Sequence, residues 1–250
     1  MRDVRLKSAD DIARIREAGL IIAEIFAELS VEDLESRTTL DIDRFIEERI
    51  HRRRARPSFK TIRRYDHASC ISLNNEIVHG IPSKNKLVRA GDLVKIDIGV
   101  VKNGYFADGC VTFPVEPVRE RAALLVRTAE EALNLAIPLL RAGNRLGDLG
   151  AAIQSLAESR GFSVVRDFSG HGVGFAVHEQ PLVPHFGRKG TGLVIEEGMV
   201  LAIEPMINEG VPDVLSLPDG WTVVTADGRL SAQFEHTVAV TSKGPVVLTA

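Results

Sequence analysis

Four acidic residues stand where a β-strand would bury apolar side chains, and they constrain the fold more than any other feature. Asp97 interrupts Leu93-Val94-Lys95-Ile96-Asp97-Ile98-Gly99, and Asp108 lies in the β-rich run from Tyr105 to Phe113. Glu204 follows Met199-Val200-Leu201-Ala202-Ile203, and Glu235 lies in Ala232-Gln233-Phe234-Glu235-His236-Thr237-Val238. Any one of these acids is explained equally well by a solvated sheet face. Four in one chain require a common cause, because a buried carboxylate is costly unless it is paired or bound to a cation.

Hairpin geometry sharpens the argument for the first two. Lys102-Asn103-Gly104 separates the two β-rich runs and carries a turn signal. With Lys102-Asn103 as the two-residue turn, Asp97 faces Asp108 directly. With Asn103-Gly104 as the turn, Asp97 faces Cys110 and Asp108 is its diagonal neighbour. Both registers put the carboxylates on one face, since side chains alternate with period two. Their separation is then roughly 5 Å or roughly 7–8 Å, close enough to demand a cation. A three-residue loop would split them onto opposite faces.

Three histidines supply the complement. His171 lies in Ser169-Gly170-His171-Gly172-Val173-Gly174, His178 precedes Glu179-Gln180-Pro181, and His79 stands in Ile77-Val78-His79-Gly80-Ile81-Pro82. The glycines on both sides of His171 allow close backbone approach to a ligand, although an exposed loop imidazole is the ordinary alternative for each of the three. His51 and His67 lie in charged surroundings and read as surface residues. Four carboxylates and one imidazole form a hard ligand set suited to Mn, Fe, Co or Zn. With carboxylates able to bridge, the set points to a two-metal centre.

The rest of the chain reads as α+β. Ser8-Ala9-Asp10-Asp11 resembles a capping box ahead of Ile12, Ile15, Ile22, Ile25, Phe26 and Leu29 at helical spacing. A second helix is predicted from Thr38 or Thr39, carrying Ile42, Phe45, Ile46 and Ile50. Two more are predicted near Glu120 to Leu140, striped by Leu124, Leu125, Ala132, Leu133 and Leu135, and near Leu146 to Arg160. Strands are predicted at Met199 to Ile207, Trp221 to Val224 and Ser231 to Val240. The order helix-helix-β then repeats, which suggests two halves of like architecture in a single domain spanning residues 1–250. A net charge of −3 argues against wholesale nucleic-acid binding. Two cysteines, a charged start Met1 to Lys7 and no run of ~18 apolar residues are expected of a cytoplasmic chain without a membrane span.

The motifs, taken together, resemble type I methionine aminopeptidases of the pita-bread fold. The matching stretches are Cys70 to Pro82, Lys95 to Gly99, Ser169 to Gly174, Ala202 to Pro205, Asp219 to Thr222 and Ser231 to Thr237, in family order over nearly the whole chain. The resemblance implies two pseudo-symmetric α/β halves around a central curved antiparallel sheet. It implies that Asp97, Asp108, His171, Glu204 and Glu235 hold two divalent ions, with Asp108 and Glu235 bridging. It implies further that His79 and His178 contact substrate, with Glu204 as proton acceptor, and that methionine is removed from peptides and nascent chains whose second residue is small. Many members of the family carry an aromatic where this chain has Val177, and another near Ile62. Tyr65, Cys70, Phe175 and Trp221 are therefore expected to line the side-chain pocket.

Two further readings bear on partners. The basic stretch from Arg49 to Arg64 reads first as a solvated helix end and loop, with transient ribosomal RNA contact as the functional alternative. A monomer is expected. A proline-directed relative is disfavoured because those enzymes usually carry an extra N-terminal domain, and only 96 residues precede Asp97. A non-catalytic binding homologue is disfavoured because all five ligand positions are filled.

Overall fold

The computed structural model describes residues 4–29 and 34–250. Met1 to Asp3 of the charged start lie outside the described residues. Helix α1 (Ala9–Glu28) begins as its sequence dictates: the Ser8 hydroxyl accepts from the Asp11 N–H, and the Asp11 carboxylate accepts from the Ser8 N–H. Helix α2 (Thr39–Arg52) is capped by the Thr38 hydroxyl, which accepts from the Asp41 N–H. Ile15, Ile22 and Ile25 of α1 join Ile42, Ile46 and Ile50 of α2 in one buried cluster with Ile96, Ile98 and Val100. Full burial of each such side chain contributes roughly 1.5–3 kcal/mol. These strand residues have even numbers, so the same pleat turns odd-numbered Asp97 to the opposite face.

The strands carrying the anomalous acids lie together. β1 (Arg56–Pro57), β2 (Ser69–Leu73) and β3 (Glu76–Val78) are followed by β4 (Leu93–Lys102) and β5 (Tyr105–Pro114). After helices α3 (Glu120–Ala136) and α4 (Leu146–Ser159) come β6 (Ser163–Val164), β7 (Gly170–Gly172), β8 (Glu179–Val183), β9 (Val200–Ile203) and β10 (Met206–Asn208). The chain ends with β11 (Val214–Ser216), β12 (Val223–Thr225), β13 (Ser231–Gln233), β14 (Glu235–Thr241) and β15 (Gly244–Val247). The main sheet has the order β1-β4-β5-β14-β9-β7-β8, with β2 also on β4 and β15 on β14. Its pairings are antiparallel, and it draws strands from both halves. Two three-stranded sheets, β13-β10-β6 and β11-β12-β3, flank it.

The β4–β5 hairpin settles the register. Lys102 pairs with Tyr105, so Asn103-Gly104 is the turn, and both residues take positive φ (52° and 85°). That is the geometry that Asn-Gly adopts readily; a Lys102-Asn103 turn would force lysine into the left-handed region. Asp97 therefore faces Cys110, and Asp108 faces Gly99. The direct Asp97–Asp108 pairing is excluded, while the shared face stands.

Several expected boundaries shift for local reasons. The run Met199 to Ile207 breaks after Ile203, because Pro205 has no N–H for the ladder; β10 then joins β13 and β6 in another sheet. Glu204 thus sits in the break between two strands. Ser231 to Val240 likewise divides at Phe234, and the predicted strand at Trp221 begins only at Val223. Helix α3 stops at Ala136 and continues as a 3-10 turn, Ile137–Leu139, that accommodates Pro138. Leu135, expected in its apolar stripe, is exposed, whereas Leu125, Ala132 and Leu133 are buried.

Candidate metal centre

Five residues predicted as ligands arrive from five places in the fold. Asp97 is on β4, Asp108 on β5, His171 on β7, Glu235 at the start of β14, and Glu204 in the break after β9. All five line one cavity of about 700 Å³. Asp108, His171 and Glu235 each offer a ligand atom within 4.8 Å of the others, and His171 Nε2 lies 3.4 Å from Glu204 Oε1. The His171 Nδ1 is 3.0 Å from the Gly172 carbonyl oxygen. A proton held there leaves the Nε2 lone pair aimed at the carboxylates, the tautomer a metal ligand needs.

The surrounding polar groups orient the cage without neutralising it. Gln233 Nε2 donates to Glu204 Oε2 (3.1 Å), and the Glu204 N–H donates to His185 Nε2 (3.3 Å). Thr237 is hydrogen-bonded to both the N–H and the carbonyl of Asp108 (2.9 and 2.8 Å). Asp97 Oδ1 and Glu235 Oε1 are buried with no hydrogen-bond partner. Burial first, and neighbouring carboxylates second, push the Asp97, Glu204 and Glu235 carboxyls well above their ordinary range. Burial also raises Asp108 to about 7, against the opposing hydrogen bonds from Asp97 and the Gly109 N–H. Orphaned buried oxygens among like charges are costly, and a cluster of hard oxygen donors with one imidazole nitrogen is what a divalent cation fits.

Across the cavity stand the other expected residues. His79 packs edge-on against Phe168 and Trp221, with ring centroids 5.7 and 6.4 Å away. His178 meets His171 edge-to-face at 4.5 Å. Burial, reinforced by His178, lowers His79 to about 4, and burial lowers His178 as well, so both rings are neutral at pH 7. Tyr65, Cys70 and Trp221 line the same cavity with Phe59 and Ile62, and Val177 is buried in their apolar cluster. Tyr65 is fixed by donating its hydroxyl proton to the Ser69 carbonyl at 2.8 Å.

One expected pocket residue is misplaced. Phe175 does not line the cavity; its ring packs against Tyr105 (6.0 Å) and lies under the Arg5 guanidinium (4.3 Å). The chain turns between Phe175 and His178, so only the histidine reaches the cavity. Other contributors went unnoticed in the sequence. Gln233 had a signal, since it lies two residues before Glu235. His185 had none, because only the fold brings it behind Glu204. Lys95 is fully buried, and its Nζ donates to the carbonyls of Asn74 and Ser231 (both 2.9 Å). Burial pulls its pKa down to about 7.

A cage of this kind, assembled on a curved antiparallel sheet, is the site of a metallopeptidase. The chain matches metallopeptidase family M24 over residues 13–242, and it belongs to that family. Within the family its relatives are methionine aminopeptidases. The enzyme of Clostridium perfringens is 47% identical over 244 residues, covering 98% of each chain. That of Escherichia coli K12 is 38% identical over 98% of this chain and 94% of its own. The solved methionine aminopeptidase of Thermotoga maritima superposes with a TM-score of 0.95 at 41% identity, over 99% of both chains. The prolidase of Pyrococcus furiosus shares the fold alone (TM-score 0.77, 24% identity), and the match covers only 65% of that longer chain. The fold is therefore the pita-bread arrangement expected from the sequence.

Proposed function

We propose that this chain is a metal-dependent methionine aminopeptidase, acting on peptides and nascent chains whose second residue is small. The observation that carries the reading is the buried cage of Asp97, Asp108, His171, Glu204 and Glu235 opening into a cavity whose other wall is apolar. We assign two divalent ions (Co, Mn, Fe or Zn) to the cage, which Asp97, Asp108, His171, Glu204 and Glu235 would hold. Bound there, such ions supply Lewis acidity, which polarises an amide carbonyl and makes water acidic near neutral pH.

The chain's own residues do the rest. Glu204 lines the cavity with one oxygen held by Gln233 and Oε1 3.4 Å from His171 Nε2, and it is placed to take a proton from water. His79 and His178, neutral at pH 7, offer N–H donors to the oxygen on which charge develops. Phe59, Tyr65, Cys70, Val177 and Trp221 provide an apolar recess that suits a flexible thioether side chain. Val177 and Ile62 belong to this recess and shape this chain's side-chain preference.

The whole chain is read as one catalytic unit, monomeric and cytoplasmic. Among the described residues no helix is long and apolar enough to cross a membrane. The Arg49 to Arg64 stretch is read as solvated, since Arg49 and Arg53 pair with Glu28, Arg53 also with Glu24, and Lys60 and His51 with Glu47. Arg52 pairs with Glu48, so any ribosome contact would rest on Arg54, Arg56, Arg63 and Arg64.

A peptide series tests the reading. With Mn, Co or Fe supplied, Met-Ala and Met-Gly peptides should be cleaved with kcat/KM at least tenfold above Met-Leu peptides, a difference within reach of side-chain exclusion. Failure to release methionine from any of them refutes the assignment.

A further inference from the structure

The loop that carries His178 is tied to the start of the chain as well as to its own half of the fold. The Lys7 ammonium donates to Glu179 Oε2 at 2.6 Å, and the two side chains are only 1% and 5% exposed. The other oxygen of Glu179 accepts from the N–H groups of Phe175 and Ala176, at 2.5 and 2.9 Å. One carboxylate thus closes the loop that presents His178 and fastens it to Lys7. The arm is itself anchored, because the Lys7 N–H donates to the Gly198 carbonyl at 2.7 Å.

Further contacts pin the same loop to the start of the chain and to β5. Arg5 stacks on the Phe175 ring at 4.3 Å, and Tyr105, packed on that ring, donates its hydroxyl to Asp11 of α1 at 2.9 Å. The Phe106 N–H donates to the Gly174 carbonyl at 2.8 Å. Gly174 has φ +138°, and a Cβ there would lie 2.7 Å from Ile15 Cδ1 and 2.9 Å from Lys7 Cε. Arm and loop therefore touch at the closest approach that glycine permits. A buried ion pair is not in itself a stabilising device, but it fixes geometry when its remaining hydrogen bonds are satisfied. Here one oxygen of the carboxylate serves the loop and the other serves the Lys7 ammonium.

We infer that Lys7 is a positioning residue for the reaction, acting through Glu179 to set the place of His178 at the cavity wall. This rests on the proposed role of His178 as a substrate contact. A displacement of about 1 Å at such a group costs up to about 100-fold in rate, so loss of the ammonium is felt in turnover. The five cage residues lie outside this loop, and of the apolar recess only Val177 belongs to it, so substrate affinity changes less than turnover.

The test is a double-mutant cycle on the metal-loaded, full-length enzyme with a Met-Ala peptide, using Lys7→Met, His178→Ala and the pair. Lys7→Met should lower kcat roughly 10–100-fold with KM within threefold of wild type. In the His178→Ala background the same substitution should cost less than threefold, because the group it positions is gone. If Lys7→Met fails to fold, Glu179→Gln carries the same cycle, since it keeps an acceptor for both N–H groups and removes only the charge. A kcat loss below fivefold, a loss carried in KM, or an undiminished loss in the His178→Ala background overturns the inference. If His178→Ala alone costs nothing, the assignment of His178 falls and the inference with it. If His178→Ala is costly and the two effects multiply, only the inference falls.

Discussion

Replacing Asp108 by asparagine is expected to reduce kcat/KM for a Met-Ala peptide by roughly 1000-fold while leaving the metal-free protein at least as heat-stable as wild type. Asparagine keeps the size of the side chain and one carbonyl oxygen, so the Gly109 N–H that donates to Asp108 Oδ1 keeps its partner. What disappears is a charge shared by the cage. Loss of one preorganised electrostatic element typically costs 10²–10³ in rate, and Asp108 is one of the three groups whose ligand atoms converge within 4.8 Å. In the metal-free protein the same charge is a burden, because Asp97, Glu204 and Glu235 all feel buried neighbouring carboxylates. Removing a like charge relieves that repulsion. Steady-state kinetics with Mn in excess and a thermal melt in chelator check both halves. A variant with more than a tenth of wild-type activity, or one whose metal-free form melts several degrees lower, contradicts the account.

Metal removal should produce the second large effect. Chelation is expected to abolish turnover, and saturating Mn or Co should restore it. A ligand at 100 times its Kd adds about 2.7 kcal/mol to the folded state, which corresponds to roughly 5–10 °C in melting temperature for a chain of this size. The effect should also grow with pH. Asp108 moves from an ordinary value of 3.8 in the unfolded chain to about 7 in the fold, and its neighbours are raised too. Between those values the folded state binds more protons than the unfolded state, so metal-free stability falls as pH rises. Full stability from these groups is present below about 4 and is lost as pH passes through about 7. Melts at pH 5.5 and pH 8, with and without metal, test this. A metal-free protein that is more stable at pH 8 than at pH 5.5 would show that the carboxylates are not confined together.

What could be read from the sequence was whatever short-range chemistry determines. Ser8 and Thr38 announced their helices because capping is local. Asn103-Gly104 fixed the β4–β5 register once the turn was known, and period-two alternation had already placed Asp97 and Asp108 on one face. The acids were legible for a related reason: a carboxylate inside an apolar strand needs an explanation wherever the strand lies. Pro205 carried the signal that Glu204 sits at a strand break, and this was missed by reading the run as continuous. Phe175 was misassigned because sequence adjacency to His178 says nothing about which side of a turn faces the cavity. His185, Lys95 and the Lys7–Glu179 pair were invisible for a deeper reason. Each is meaningful only through a partner brought close by the fold, from Glu204 for His185 to a residue 172 positions away for Lys7.

Diffraction from crystals soaked in manganese, recorded where that metal scatters anomalously, addresses the central claim most directly. Two peaks within coordination distance of Asp97, Asp108, His171, Glu204 and Glu235 are the expected result. A fully loaded, active crystal with no peak among those five side chains would contradict it.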